Sequence, residues 1–361
     1  MAHIVFVKHP LKNSVSLLLL AAFSGVLAAP ALAQSAIRLP GLFNTRISSD
    51  GLTAGGVFRT APSQTQAVFW HATTGLQPTG RVVSPNNYTG GLSGNGHFLT
   101  GTLFESPGFG QGFRLSDQGV LTIIPALVTP SDGASVGGIS DDGNTIVGDT
   151  LYAGGSSVQA WRWTVSGGLQ TLPFFRATAV SGDGNTIIGD TFTPNDAVLR
   201  NGVITQLPYV DDGTGGFRSS TGYAVNFDGS IIVGQSGNSP AIWVNGQGSL
   251  IPSPAGSEGC FATDINADAT VILGTNGLSN AFIWTPSRGS ELLSSYFASY
   301  GITLPGYQLT SATVSDDGRT FAVNTIIPST LAPNAFIITI PTSGTLSVGL
   351  LGIALASRRR R

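Results

Sequence analysis

The sequence predicts an all-β fold: a seven-bladed β-propeller of four-stranded blades, its ring closed by the N-terminal strand, with a β-solenoid as the alternative. Three observations predict it. A glycine-punctuated phrase recurs seven times at blade spacing, each recurrence carries four short strand-like runs, and the two ends of the array complement each other.

The phrase begins at Ile47 ("ISSDGLTAGGV"), Leu92, Ile139 ("ISDDGNTIVGD"), Val180, Val225, Ile265 and Val314, with starts 45, 47, 41, 45, 40 and 49 residues apart. A second phrase follows each one, as in "AVFW" at Ala67, "AWRW" at Ala160 and "AFIW" at Ala281. A third closes most units near a proline ("VLTIIP", "GLQTLP", "VITQLP"). Each unit thus supplies one strand into the turn (residues 177–181 in the fourth unit), one out of it, one carrying the aromatic phrase and one closing strand. Between the turns, no segment sustains a helical apolar period over three turns. Low charge with 49 glycines is compatible with disorder, but 41% apolar content and regularly placed tryptophans predict a packed core. Within the aromatic phrase, Val68 and Trp70, Trp161 and Trp163, and Phe282 and Trp284 share one face by two-residue alternation, so they are expected to fill the wedge between blades.

The ends argue for a ring. The seventh unit stops after "NAFIITI" without a closing strand, while "AIRLP" at residues 36–40 reads as the missing phrase. Lending it to the last blade completes seven sets of four and covers an edge that would otherwise be exposed.

Inside the phrase, Asp bonds its own backbone and Gly supplies the left-handed conformation of a hairpin turn. Ala269 is the one departure at the turn glycine. A second glycine (Gly56, Gly101, Gly148, Gly189, Gly234, Gly274) sits within a strand, and crowding at the propeller axis is the expected reason; Val323 replaces it in the seventh unit. The competing reading is calcium, with Asp141, Asp142 and Asp149 as ligands. The spacing lacks the alternating carboxylates of a calcium loop, so turn chemistry takes precedence and no cofactor is expected.

Beyond the array, residues 1–33 read as a signal peptide: Lys8 and Lys12, the apolar run 14–27, and Ala31 and Ala33 before the cleavage point. This implies handling by the Sec translocon and signal peptidase. Residues 34–341 form the repeat domain. Residues 342–361 hold thirteen mostly apolar residues, short for a membrane span, and end in four arginines from Arg358 to Arg361. With Pro341 before it, this tail resembles the PEP-CTERM sorting signals, although Pro-Glu-Pro is replaced here by "IPTS". The resemblance implies an exosortase-like membrane protease as partner, transient anchoring in the inner membrane, and a didermal bacterium exporting the chain to its surface, outer membrane or matrix. A simple C-terminal anchor is the alternative.

Between residues 34 and 341 there is no lysine, and eleven arginines face nineteen acids, a net charge of −8. No basic patch is available for nucleic acid. Cys260 stands alone, which excludes a disulfide framework and predicts a buried, inert thiol.

No catalytic motif is present, and His71 and His97 fall in different units. Function is expected where the repeat is interrupted: residues 127–138, 209–223 and 294–308. The last two are aromatic-rich, and Tyr209, Phe217, Tyr223, Tyr296, Tyr300 and Tyr307 are candidates for a glycan-binding lip, ordinary inter-blade loops being the plainer alternative. The alternation of "[VI]-S-x-D-G-x-x-I-x-G" with Gln66-Ala67, Gln159-Ala160, Asn280-Ala281-Phe282 and Asn334-Ala335-Phe336 resembles the HAF-repeat family of bacterial extracellular proteins. Gln or Asn stands where that family has His. The resemblance implies an exported repeat protein and transfers no catalytic residue. The expected function is non-enzymatic binding of carbohydrate or protein, with extracellular polysaccharide as a candidate partner, or a structural surface-layer role. A polysaccharide hydrolase or lyase is the alternative, to be favoured by two or three acids with His or Tyr at one mouth of the channel.

Overall fold

Seven times the chain reverses within five residues, and each reversal needs one residue in the left-handed region. Six glycines fill that position, Gly143 at φ 73° among them, while Ala269 is held at φ 57°. The preceding Asp or Asn (Asp50, Asn95, Asp142, Asp183, Asp228, Asp268, Asp317) accepts from the backbone N–H two residues on, at 2.9–3.1 Å. The Ser or Asn that opens the turn accepts from the N–H five residues on, at 2.8–3.0 Å. The phrase is therefore a self-satisfying hairpin, as its composition predicts. Because a β-carbon in this conformation costs roughly 1–2 kcal/mol, Ala269→Gly is expected to stabilise the fold by about 0.5–1 kcal/mol after the added unfolded-chain entropy of Gly. Urea unfolding measures it, and a lower midpoint would refute the strain at Ala269.

The computed structural model describes residues 35–341 except 62–63, 84–87, 104–109, 126, 128–132, 152–156, 214 and 216–217. The chain divides into two units: residues 1–31 lie outside the described residues, and every described element belongs to the second, residues 32–361. In the second, β1 (Ser35–Pro40) precedes blade 1: β2 (Leu42–Ile47), β3 (Thr53–Ala61), β4 (Gln64–His71) and β5 (Gly75–Val83). Blade 2 is β6 (Tyr88–Leu92), β7 (Phe98–Leu103), β8 (Gln111–Ser116) and β9 (Leu121–Ile124). Blade 3 is β10 (Gly133–Ile139), β11 (Thr145–Leu151), β12 (Ser157–Thr164) and β13 (Gly168–Thr171). Blade 4 is β14 (Arg176–Val180), β15 (Thr186–Asp190), β16 (Ala197–Arg200) and β17 (Val203–Gln206). Blade 5 is β18 (Ser220–Val225), β19 (Ile231–Ser236), β20 (Ser239–Val244) and β21 (Gln247–Leu250). Blade 6 is β22 (Phe261–Ile265), β23 (Ile272–Thr275), β24 (Ala281–Thr285) and β25 (Gly289–Leu292), followed by helix α1 (Leu293–Ser299). Blade 7 contributes β26 (Gln308–Val314), β27 (Thr320–Ile327) and β28 (Ala332–Thr339).

Each blade is one antiparallel meander, and the seventh has the order β1-β28-β27-β26. The N-terminal strand supplies its outer edge, pairing from Ser35↔Thr339 to Pro40↔Asn334. Ring closure by the N-terminus is thus present, and the solenoid alternative is set aside.

Seven apolar clusters correspond to the seven inter-blade wedges. Val68 and Trp70 pack on Leu39, Ala335 and Ile337 of blade 7. Trp161 and Trp163 pack on Ile124 of blade 2, and Trp243 packs on Ile188 and Val198 of blade 4. Alternate positions of the same strand face the other way: Ala67 and Phe69 join Leu92, Leu99 and Phe113 of blade 2. Two-sided burial of this strand is why its phrase is the most aromatic of the four.

The in-strand glycine has a cause different from the one expected. Every innermost strand contains a β-bulge, for example between Gly222 and Ala224, or between Ala262 and Asp264. The second-strand glycine sits opposite that bulge: a β-carbon on Gly234 would lie 1.9 Å from the Thr221 carbonyl oxygen. The crowding comes from the bulged partner strand of the same blade, not from neighbouring blades at the axis. Blade 7 explains the exception, because its bulge falls between Leu309 and Ser311 and leaves Val323 in a regular pair with Ala312.

Two segments read as interruptions are partly regular. Residues 133–138 belong to β10, and 294–299 to α1. The helix buries Leu293, Tyr296 and Phe297, an i, i+3, i+4 set, against blades 6 and 7. Among the described residues no helix is long and apolar enough to cross a membrane. The expected signal peptide, with Ala31 and Ala33, and the sorting tail, with Arg358 and Arg361, lie outside the described residues; Pro341 is the last residue within them.

Candidate functional site

Meander topology divides the connections between two faces. The first-to-second strand turns and the third-to-fourth hairpins emerge on one, the turn face. The second-to-third connections and all links between blades emerge on the other, the loop face. Consequently the three irregular segments, near 127–138, 209–223 and 294–308, all open on the loop face.

The axis holds a channel of about 210 Å³ lined by the innermost strands, with Arg46, Asp141, Asp264, Asp316 and Tyr223 among its walls. At the turn face the mouth is formed by the second residue of each turn: Ser49, Gly94, Asp141, Gly182, Phe227, Ala267 and Asp316. These residues stitch neighbouring blades through their backbones, as in Asp141 N–H to Gly182 O and Asp316 N–H to Ser49 O, both 2.9 Å. Backbone bonding leaves their side chains free to vary, which is why this position has no consensus. Ser49 Oγ reaches Asp141 Oδ2 at 3.4 Å. Burial, reinforced by the Asp316 carboxylate and opposed by Ser49, pushes the Asp141 carboxyl up to about 6. Burial likewise raises Asp316. Deeper in the channel Asp264 accepts from Val314 N–H at 2.8 Å, and burial holds it at about 6 despite Arg46.

The loop-face end is different in character. Tyr223 occupies the bulge of β18, is 37% exposed, and meets the Phe261 ring at 5.5 Å. Next to it in sequence, Gly222 N–H donates to Asp196, 5% exposed, at 3.0 Å. Burial drives that carboxyl up to about 6; Asp190 adds to the shift and Arg176 opposes it. Burial, then Asp196, raises the Tyr223 phenol, against Arg176. Two acids and a tyrosine therefore gather at this mouth. The sequence signal for Asp196 was present: it stands before Ala197 where four other units carry Gln or Asn before Ala.

The remaining tyrosines do not form one lip. Tyr296 is buried at 5% exposure and Tyr300 and Tyr307 pack on the same blade 6–7 core, with Tyr307 edge-on to Phe336 at 5.0 Å. Tyr209 is half-buried, its hydroxyl 3.4 Å from Asp211 Oδ1. Phe217 lies outside the described residues. Of the five aromatic candidates among the described residues, Tyr223 alone lines the channel.

The three aspartates proposed as calcium ligands are not brought together. Asp142 is engaged in its own turn, with Ser140 Oγ donating at 2.6 Å and Asn144 N–H at 2.9 Å. Asp141 faces the axis instead. Asp149, 2% exposed, lies four residues along β11 from Thr145, about 13 Å at strand rise. Among the described residues no cluster of three or more His, Cys, Asp or Glu is arranged to hold a metal ion. His71 bonds Thr53 Oγ1 at 3.1 Å and His97 pairs with Asp117 at 2.7 Å, each within its own blade. Cys260 is buried, and burial pushes its thiol up.

The fold and its axial channel define the chain as a seven-bladed β-propeller. Among solved structures it is similar to the Swd1 (Cps50) β-propeller domain of Myceliophteria thermophila, with a TM-score of 0.55 and 12% identity over 85% of this chain and 98% of that one. U3-55K is similar as well, at a TM-score of 0.53 and 11% identity over 86% and 100%. TolB from Acinetobacter baumannii matches at 14% identity and a TM-score of 0.40 over 58% of this chain, which spans about half (54%) of the TolB chain. At these identities the likeness to Swd1 and U3-55K is one of fold alone. No protein-family profile and no curated protein matches the sequence.

Proposed function

We propose that this propeller is an exported, cell-surface or matrix-associated binding protein without enzymatic activity, whose loop face takes carbohydrate or protein. The observation that carries the reading is the separation of faces: the repeated, self-satisfied turns occupy one, and every irregular connection opens on the other. Repetition serves the scaffold, so binding specificity belongs where repetition fails. The net charge of −8 over residues 34–341 supports a partner other than nucleic acid. The N-terminal and C-terminal sequence patterns support export by the Sec route and processing by an exosortase-like protease. A glycan array probed with the full chain, with and without chelator, tests the ligand class. Binding to a subset of glycans, unchanged by chelator, is expected, because the turn aspartates are already bonded to their own backbones; loss of binding with chelator would restore calcium.

A second reading is favoured by the acids and tyrosine at the loop-face mouth: a polysaccharide hydrolase or lyase. Against it, Asp196 is buried and one of its oxygens is tied to Gly222 N–H, so it is poorly placed to reach a scissile bond. New reducing ends or unsaturated sugars released from a bound polysaccharide would establish the enzyme instead.

A further inference from the structure

Five of the innermost strands share one irregularity, a single bulged residue that faces the channel. At the bulge that faces the channel, blades 2, 3, 4 and 6 carry Gly90, Gly137, Thr178 and Thr263. Blade 5 carries Tyr223. The bulge itself therefore has no need of an aromatic ring, since glycine or threonine serves it in four neighbours. Tyr223 is 37% exposed, and among the described residues its hydroxyl has no hydrogen-bond partner. Phe261 from blade 6 props its ring at 5.5 Å and 50°, which fixes an aromatic surface at the rim instead of letting it collapse into the channel.

The polar surroundings narrow the class of ligand. Arg176, exposed, and Asp190, half-buried, face each other across β14 and β15, and both lie within electrostatic reach of Asp196. One cation against two carboxylates repels a uronate or sulfated sugar, whereas carboxylate oxygens and a guanidinium together accept from and donate to vicinal hydroxyls. An apolar ring face edged by such groups is the pattern that orients a polyol on a protein. The channel, at about 210 Å³, is smaller than pockets that enclose a whole drug-sized molecule, so a chain of sugars would cross the mouth and not thread it. Phe192, 92% exposed and propped edge-on by Phe175 at 5.4 Å, offers a second aromatic surface on the same face of blade 4.

We propose that Tyr223, backed by Phe261 and edged by Arg176 and Asp190, is the subsite that stacks an uncharged hexose unit of a polysaccharide at the loop-face mouth. This rests on the carbohydrate-binding reading above and names its site. Tyr223→Thr is the decisive variant, because threonine already occupies the equivalent bulge in blades 4 and 6 and keeps the fold. The probes are oligomers of glucose, galactose and mannose, with galacturonate oligomers for comparison, titrated into the full chain by calorimetry.

Wild type is expected to bind at least one neutral oligomer and to disfavour the uronate. Tyr223→Thr should weaken that binding by about tenfold or more, with the melting temperature within about 2 °C of wild type. Asp190→Asn should weaken it severalfold, and Phe227→Ala on the opposite mouth should leave it unchanged. Neutral-sugar binding that survives Tyr223→Thr would overturn the subsite and leave the function standing. Preference for galacturonate would overturn the ligand class. Wild type that binds none of these oligomers nor any glycan of the array would overturn both, and a large fall in melting temperature with intact binding would reduce Tyr223 to an axial plug.

Discussion

Removing Ser35–Pro40 is expected to lower the melting temperature by about 10 °C and to make the protein prone to self-association. The strand completes blade 7 through six residue pairs along β28. Leu39 is buried at 6% exposure in the cluster with Leu42, Ala335 and Ile337, so the deletion also opens the wedge between blades 7 and 1. Arg38 donates to Asn334 Oδ1 from Nε at 3.2 Å and from Nη2 at 2.9 Å, and lies 5.5 Å over the Tyr307 ring. One buried leucine and several ladder hydrogen bonds amount to roughly 5–8 kcal/mol. At about 2.1 cal/mol/K of unfolding entropy per residue, a domain of this size loses between one and two degrees per kcal/mol. Calorimetry of the truncated chain provides the measurement, and the synthetic peptide SAIRLP added in trans should recover part of the loss. An unchanged melting temperature would show that the ring is not held by this strand.

That closure was legible because both partners are written in the sequence: a unit short of one strand at one end, and a spare closing phrase at the other. The turns were equally legible, since Ser, Asp and Gly act locally and each satisfies a bond within five residues. The wedge aromatics followed from two-residue alternation alone. What the sequence does not spell out depends on relations between strands. The glycine at 234 looks like axial crowding until the bulge at Tyr223 is seen to push the Thr221 carbonyl into its place. Helix α1 hides because two turns are too few to establish a period, although Leu293, Tyr296 and Phe297 are correctly spaced. The tyrosines divide for the same reason. Tyr296 and Tyr223 both sit in aromatic-rich irregular segments, and only the fold distinguishes the helix face that buries one from the bulge that presents the other. Asp316 and Asp141 belong to the turn phrase, yet their meeting across Ser49 depends on the ring bringing units 1, 3 and 7 to one axis.

Stability should be greater at pH 5 than at pH 7.5, by about 5 °C in melting temperature, which reverses the usual expectation for an acidic protein. Asp141, Asp196 and Asp264 each have a folded carboxyl at about 6 against an ordinary value of 3.8, and burial is the leading cause in all three. The folded protein therefore binds more protons than the unfolded chain between about pH 4 and pH 6. Stability falls as pH rises through that window, because each group must then carry a charge that the fold disfavours. A two-unit shift corresponds to about 3 kcal/mol for a fully desolvated group. Asp196 approaches that limit. Asp141 lies at the turn-face mouth of the channel and is the least buried of the three, so its share is smaller. The turn aspartates act in the opposite sense. Burial opposes the shift at Asp142 and Asp183, but hydrogen bonds from Ser, Asn and backbone N–H hold both below the usual range, and similar bonds lower Asp228 and Asp268. Their stabilisation is complete above 3.8 and is lost only as pH falls further, which places the optimum near pH 4–5. Asp196→Asn isolates the effect: the amide oxygen still accepts from Gly222 N–H, while Asp190 and Arg176 remain as the charged neighbours. Its melting temperature should gain at pH 7.5, change little at pH 4.5, and so flatten the profile. A wild-type profile that rises from pH 5 to pH 7.5 would show that these carboxyls ionise in the fold without penalty.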